Sequence, residues 1–115
     1  MQLTLPLPPI ALHPNSRTRN HLYRAAMVKK ARGEAEFLSR LIAPSQPFKR
    51  ATIQPTFYLP RKNDSTNLAD WLKAYLDGLQ PHVIVNDSGV TLLPPLQVTG
   101  KGLDYRVVLD IQGEA

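Results

Sequence analysis

The chain has 115 residues, 43% of them hydrophobic, which predicts one domain over residues 1–115 and excludes a wholly disordered chain. The absence of cysteine excludes disulfide scaffolds, thiolate zinc sites and cysteine nucleophiles. With no long apolar run and no basic leader, we expect a cytoplasmic protein without a membrane segment. The net charge of +5 is uneven, since residues 1–62 hold eleven bases and two acids whereas residues 63–115 hold three bases and seven acids. This asymmetry favours one region that holds a polyanion and another that holds a cation, although a basic protein with solvated faces has the same composition.

The first third of the chain predicts a strand, a stiff loop and a long basic helix. Residues 2–5 alternate weakly between apolar and polar side chains, as a strand does. Four prolines in residues 5–15 exclude a helix there. Asn15 or Ser16 is placed to cap a helix over residues 18–42. We expect the core positions of that helix to be Leu22, Ala26, Phe37, Leu38 and Leu41.

The rest of the chain predicts a second helix between strands. Residues 49–59 alternate as a strand, in which Pro55 indicates an edge position or a bulge. Residues 66–80 have the clearest helical period, and residues 103–111 alternate as a strand that a Gly-Lys-Gly turn would join to a strand near residues 90–98. These elements predict an α+β fold, with a small mixed or antiparallel sheet packed against two helices. The apolar stripe of the second helix consists of Leu68, Trp71, Leu72, Tyr75, Leu76 and Leu79.

The opposite side of the second helix carries charged side chains within ~60° of one another. Asp64 and Asp87 lie at the ends of predicted elements, where loops place functional groups. Carboxylates that converge repel one another, and Mg²⁺, which prefers oxygen ligands, would relieve that repulsion. An ordinary solvated helix face with ion pairs one turn apart has the same pattern, and Asp64 would serve equally as a plain helix cap. The residues on the charged side are Thr66, Asp70, Lys73 and Asp77.

Three segments of the chain share an order and spacing with a known family. They read Asp64-Ser-Thr-Asn67-Leu, then Lys73-Ala-x-x-Asp77-x-Leu, then Asn86-Asp87. This order resembles the RusA family of Holliday-junction resolvases, which is typified by Asp-x-Asp-Asn-Leu, then Lys-Ala-x-x-Asp-x-Leu, then an Asp-Asp pair. The Leu-Pro-Pro opening before a basic helix and the predicted C-terminal hairpin are similar to the family as well. The resemblance covers nearly the whole chain.

The resemblance implies a homodimer that resolves four-way DNA junctions by paired nicks with Mg²⁺, in DNA recombination and repair. Asp64 and Asp87 match two acids of the family, Lys73 matches its catalytic lysine, and Asn67 matches its asparagine. By this match Asp64 and Asp87 would bind Mg²⁺, and Lys73 would stabilise the charge that develops on the phosphate.

The chain also departs from the family pattern. Thr66 and Asn86 stand where the family has acids, and extra residues separate Asn67 from Lys73. Asp70 lies one turn beyond Thr66, so we expect it to supply the missing carboxylate as a third metal ligand and catalytic residue. Asn67, Asp77 and Asn86 are secondary candidates for the site.

The basic half of the chain supplies candidate DNA contacts. Two alternatives stay open: a catalytically weak or inactive module that binds branched DNA, and a small basic assembly factor that binds RNA or an acidic protein. The missing acids favour the first alternative. The candidate DNA contacts are Arg17, Arg19, Arg24, Lys29, Lys30, Arg61 and Lys62.

Overall fold

The computed structural model describes residues 1–114, which form the α+β fold predicted from the sequence. Buried side chains from three strands and from all the helices make one hydrophobic core. Single 3₁₀ turns cover Ile10–Leu12 and Asp87–Gly89. The strands are β1 (Gln2–Pro6), β2 (Arg50–Leu59), β3 (Val90–Leu92), β4 (Leu96–Thr99) and β5 (Arg106–Glu114). The helices are α1 (His21–Ile42), α2 (Ser65–Trp71) and α3 (Lys73–Gly78). None of the helices that the structure describes is long and apolar enough to cross a membrane.

The five strands form one mixed sheet with β2 at its centre. On one side β5 pairs antiparallel with β2, and β1 pairs antiparallel with β5. On the other side β3 and β4 follow each other along β2, and both run parallel to it. Every second residue of β2 from Ala51 to Leu59 is buried, which is the alternation that the sequence predicts. The mixed sheet is therefore confirmed.

Pro55 lies in the central strand, so the predicted edge position is wrong. On one side Pro55 is opposite Leu109 of β5. On the other side β3 reaches only as far as Ile53 and β4 begins opposite Thr56, so neither strand pairs with Pro55. The proline tolerates a central strand because its missing N–H coincides with a gap between two short neighbours. Gln54 bridges that gap, since its side-chain amide donates to the Pro94 carbonyl at 2.9 Å.

The predicted C-terminal hairpin is also wrong. β4 and β5 lie on opposite sides of β2 and do not pair with each other. The connection between them passes the end of β2, where the Gly100 N–H donates to the Leu59 carbonyl at 3.1 Å. Gly102 has a φ of 77°, a left-handed conformation that glycine adopts without strain. The glycines predicted a turn correctly, but six residues between the strands allow a crossing that sequence alternation does not reveal.

Helix α1 begins three residues later than predicted. Asn20 caps it, because the Asn20 side-chain oxygen accepts a hydrogen bond from the Tyr23 N–H at 3.0 Å. Ser16, one of the two predicted caps, instead accepts from the Thr18 N–H at 3.1 Å in a local turn. Thr18 is held in that turn by the Ser16 hydroxyl, and the helix starts after Asn20, whose side chain caps it.

The buried face of α1 is made of small side chains, and most of the predicted core positions are wrong. Ala31, Ala35 and Ser39 are buried, and Ser39 donates back to the Ala35 carbonyl at 2.6 Å. Leu38, a predicted core position, is half-buried. The other predicted core positions lie on the other face and are exposed. The small side chains on this face allow α1 to pack closely against α3, where Gly78 faces Ala35. The exposed residues are Leu22 (84%), Ala26, Phe37 (63%) and Leu41 (69%).

The second predicted helix is interrupted. Asp64 caps α2, as predicted, by accepting from the Thr66 N–H at 2.8 Å. At Leu72 the backbone tightens, because the Leu72 N–H donates to the Ala69 carbonyl three residues back at 3.2 Å. The helix restarts as α3 at Lys73. The apolar stripe is confirmed across the break, with Leu76 half-buried and the other five members buried.

The proline-rich segment, residues 6–12, is held to the helices by its backbone carbonyls. The Trp71 indole N–H donates to the Pro9 carbonyl at 2.9 Å, and the Tyr75 hydroxyl donates to the Pro6 carbonyl at 2.9 Å. The Arg24 guanidinium donates to the Ala11 carbonyl. Side chains of three helices thus bind carbonyls of this segment, and the Pro9 carbonyl also accepts from the Leu12 N–H at 2.9 Å.

Replacing Tyr75 by Phe is expected to lower the free energy of unfolding at pH 7 by about 1 kcal/mol, because the Pro6 carbonyl loses its partner. Burial raises the pKa of the Tyr75 phenol well above its usual range, and the negative charge of Glu34 adds to that effect. In the unfolded chain the phenol titrates near pH 10. The stability due to the phenol is thus complete below about pH 10 and is lost as the pH rises further.

Urea unfolding of both chains at pH 7 and above pH 10 measures this effect. The gap between wild type and Tyr75→Phe should shrink as the pH rises, while titration of the other tyrosines affects both chains alike. A gap that stays constant with pH would contradict the prediction.

Candidate functional site

Four charged side chains line one open cavity of about 380 Å³ beside α2 and α3. They are Asp70 from α2, Lys73 and Asp77 from α3, and Asp87 from the turn before β3. Asp87 is far from the others in sequence, so the fold brings it to them. Three of the four predicted catalytic residues, Asp70, Lys73 and Asp87, therefore line one cavity. The secondary candidate Asp77 lines it as well, whereas the fourth predicted residue, Asp64, does not.

The cavity has an excess of negative charge. Among residues 1–114 the only ion pairs join Glu36 to Arg40 at 2.7 Å and to His82 at 3.7 Å, so no ion pair compensates the cavity's three carboxylates. Lys73 supplies one positive charge at its edge and is exposed. Three carboxylates beside one lysine leave a local deficit of positive charge that a cation would offset.

The break at Leu72 does not separate Asp70 from Lys73. These two residues, with Asp77, also line an adjoining cavity of about 300 Å³ on the side of α1. Thr66 lies elsewhere, on a cavity formed with residues 92–95. The predicted cluster on one helix face is therefore retained for the two aspartates and the lysine but not for Thr66.

The side chains of Asp64 and Asn86 accept hydrogen bonds from backbone N–H groups near the site. One carboxylate oxygen of Asp64 accepts from the N–H groups of Thr66 and Asn67, at 2.8 and 3.4 Å. The Asn86 side chain accepts from the Ser88 N–H at 3.0 Å and so shapes the turn that carries Asp87. Asp64 does not line the cavity of Asp70 and Asp87. Its role as a metal ligand stays a prediction.

Asp70 and Asp87 fit a magnesium ion with few protein ligands. Mg²⁺ is commonly held by one or two carboxylates, with water and substrate phosphates completing its coordination. Both side chains are exposed and open into the same cavity. Within the described part of the chain, no three His, Asp or Glu side chains are placed to hold a metal together. Asp70 and Asp87 are therefore the cavity carboxylates that would hold Mg²⁺ with few protein ligands.

Comparison with known proteins does not assign the chain to a family. No family model and no curated protein matches the chain. The functional assignment therefore depends on the chemistry of the cavity and on the motif resemblance.

The predicted DNA contacts divide into three groups. Arg24 is tied to the Ala11 carbonyl and lines the adjoining cavity, so it supports the proline-rich segment. Arg17 and Arg61, from distant parts of the chain, line one separate cavity. The remaining candidates are exposed, at Arg19, Lys29, Lys30 and Lys62.

Sequence reasoning missed the cavity that Arg17 and Arg61 share. Its other side chains include Ile10 and His13, which have no motif and no regular spacing. The only signal was indirect, since the proline-rich loop predicted a rigid surface next to a helix. The pairing of that loop with residues 59–63 depends on tertiary structure.

Proposed function

We propose that the protein is a magnesium-dependent endodeoxyribonuclease that cuts branched DNA, with the four-way junction as its substrate in recombination and repair. The observation that carries the proposal is the shared cavity of Asp70, Lys73, Asp77 and Asp87. Carboxylates with no ion-pair partner beside a lysine suit phosphodiester hydrolysis. Lys73, Asp77 and Asp87 of this cavity belong to the RusA-like motifs, whereas Asp70 lies outside them.

Each residue has a defined task in this proposal. Asp70 and Asp87 would hold Mg²⁺, which supplies an activated water and a polarised phosphate when bound. The Lys73 ammonium would stabilise the negative charge that builds up on the phosphate oxygens. Asp77 is half-buried between both cavities, where its carboxylate would orient Lys73 one turn away.

The exposed bases would hold the DNA backbone. Lys29 lies on α1, and Arg61 and Lys62 follow β2. Lys30 lies on the face of α1 that the dimer described below would cover, so it is left out of the proposed DNA contacts. Contacts of this kind make affinity fall steeply with salt and carry no sequence information. Preference for a branch must therefore come from shape, and a two-fold dimer would match the symmetry of a four-way junction.

The outer face of α1 supports a homodimer. Leu22, Phe37 and Leu41 are 84%, 63% and 69% exposed on one side of the helix, away from the core. Exposed apolar patches of this kind mark interaction surfaces. Two antiparallel copies of α1 that cross between residues 31 and 32 would place Leu22 opposite Leu41 and Ala26 opposite Phe37. In this arrangement Phe37 of each copy packs against Ala26 of the other, so a large side chain meets a small one on both sides of the two-fold axis.

Replacing Phe37 by Gln is expected to weaken self-association at least about tenfold, because a central apolar contact is lost on both copies. Arg32→Gln is the matched control, since Arg32 is also exposed on α1 but lies off this face. Sedimentation equilibrium measures both. Equal dissociation constants for the two variants would exclude this face as the interface.

The proposed activity is tested with a labelled four-way junction and a linear duplex of equal length, each with and without Mg²⁺. We expect paired nicks near the branch only in the junction with Mg²⁺. Asp87→Asn should abolish cleavage and keep binding, whereas Asp104→Asn, at an exposed position outside the cavity, should leave cleavage unchanged. Asp64→Asn keeps a residue that caps helices well, so any loss of cleavage in that variant would place Asp64 in the metal site.

The same experiment separates the alternatives. Retained junction binding without cleavage in any divalent metal would overturn the nuclease and indicate a branched-DNA-binding module. Equal affinity for junction and duplex would leave only charge-driven binding, as expected of a basic assembly factor.

A further inference from the structure

A second cavity, of about 610 Å³, lies between the proline-rich segment and the end of β2. Leu7, Leu59 and Trp71 give it an apolar lining, and the Ile10 side chain, 73% exposed, stands at the same cavity. The 3₁₀ turn holds Ile10 in place, and the Trp71 indole is held by the Pro9 carbonyl at 2.9 Å. The cavity is thus rigidly built, and its size is typical of small-ligand sites.

The charge of this cavity is positive. Arg17 and Arg61 both line it, both are exposed, and no acidic side chain lines it. Neither arginine belongs to an ion pair within residues 1–114. Guanidinium groups that lack a carboxylate partner bind phosphate well because they donate two parallel hydrogen bonds.

His13 adds a donor to the wall. Its side chain is 8% exposed, and its Nδ1 accepts from the Asn15 N–H at 3.1 Å. With Nδ1 as the acceptor, Nε2 is the ring's donor, and it has no hydrogen-bond partner in the part of the chain that the structure describes. The ring also stands edge-on to Trp71, with centroids 5.0 Å apart, so its orientation is set by packing.

We propose that this cavity binds one unpaired nucleotide, with the base against the apolar side chains and the phosphate between Arg17 and Arg61. The side-chain amides of Asn15 and Asn63 are placed in the same lining to pair with a base edge. A base inside a duplex cannot enter, whereas a base at a branch is free to leave the stack. The proposal deepens the proposed recognition of branched DNA and does not depend on cleavage. An acidic peptide would use the arginines but leave the apolar lining uncovered.

The test is a titration of the full chain with dAMP, inorganic phosphate and deoxyadenosine, followed by ¹H–¹⁵N NMR with the Trp71 indole N–H as reporter. We expect dAMP to bind at least about tenfold more tightly than either half of the molecule. Arg17→Ala and Arg61→Ala should each weaken dAMP about tenfold, as expected for one lost charge-assisted contact. Arg19→Ala is the matched control, because Arg19 is exposed nearby but does not line the cavity. Ile10→Ser should weaken dAMP and leave inorganic phosphate unchanged.

Several outcomes would overturn the proposal: dAMP no tighter than phosphate, no effect of Arg17→Ala and Arg61→Ala beyond that of Arg19→Ala, or displacement of dAMP by a glutamate-rich peptide at equal concentration. Titration with short single strands of DNA and RNA of the same sequence shows which nucleic acid supplies the nucleotide. We expect the DNA strand to bind more tightly. Asp87→Asn should bind dAMP as tightly as wild type does. The nucleotide site is thus tested independently of cleavage, and the nuclease proposal could fail without affecting it.

Discussion

Replacing Lys73 by Ala is expected to reduce the rate of junction cleavage by about 10²–10³-fold, the usual cost of removing one group that stabilises charge in a transition state. Lys73 is the only base among the side chains that line the cavity of Asp70, Asp77 and Asp87. It is exposed and unpaired in residues 1–114, so its charge is available to a phosphate. Single-turnover cleavage at saturating protein measures this step without the contribution of binding.

The matched control is Lys101→Ala, which removes one exposed positive charge from the turn before β5. Both variants lower the net charge equally and should lose similar affinity for the junction, but only Lys73→Ala should lose the chemical step. A cleavage rate within threefold of wild type for Lys73→Ala would remove Lys73 from the mechanism.

Replacing Gly78 by Ala is expected to lower the free energy of unfolding by about 2 kcal/mol. A Cβ at Gly78 would lie 2.4 Å from the Arg32 carbonyl oxygen and 2.7 Å from the Ala35 Cβ, both on α1. Neither group is the end of a flexible side chain, so the two helices would have to move apart. Alanine is the better helix former by about 1 kcal/mol, but the gain is smaller than the cost of this overlap.

Gly33→Ala isolates the contribution of helix propensity. A Cβ at Gly33 meets nothing within 4 Å, so this substitution should stabilise the chain by about 0.5–1 kcal/mol. Thermal unfolding of both variants at a concentration that keeps the chain monomeric should shift the midpoints in opposite directions. Equal shifts would show that α1 and α3 pack less closely than the structure indicates.

The elements whose alternation or period involves large apolar residues were predictable from the sequence. β1, β2 and the stripe that includes Trp71 and Tyr75 are buried as predicted, since burial of large side chains dominates the packing of those segments. Helix α1 was misread because its core face consists of Ala31, Ala35 and Ser39, which give little hydrophobic signal. Pairing of β4 and β5 with opposite sides of β2 is a long-range property, and local alternation carries no information about it.

The candidate site was partly predictable for a related reason. Asp70, Lys73 and Asp77 lie one turn apart, so helical geometry alone places them together. Asp87 was a candidate because it follows a predicted element, and the motif resemblance linked it to the helix residues, since a contact across loops has no local signature. The cavity of Arg17 and Arg61 was not predicted at all, since these two residues are brought together by the packing of two irregular segments.

The three carbonyls of the proline-rich segment have a further consequence for the mechanics of the molecule. Their donors come from Arg24, Trp71 and Tyr75. The Trp71 side chain lines both the cavity of Arg17 and Arg61 and the cavity of about 300 Å³ that adjoins the candidate site. If this segment separated from the helices, its three hydrogen bonds to Arg24, Trp71 and Tyr75 would break together, and both cavities would lose a wall. A segment without any charged side chain would therefore influence the rigidity of both cavities, and a ligand that binds against it in one cavity would also restrict the other.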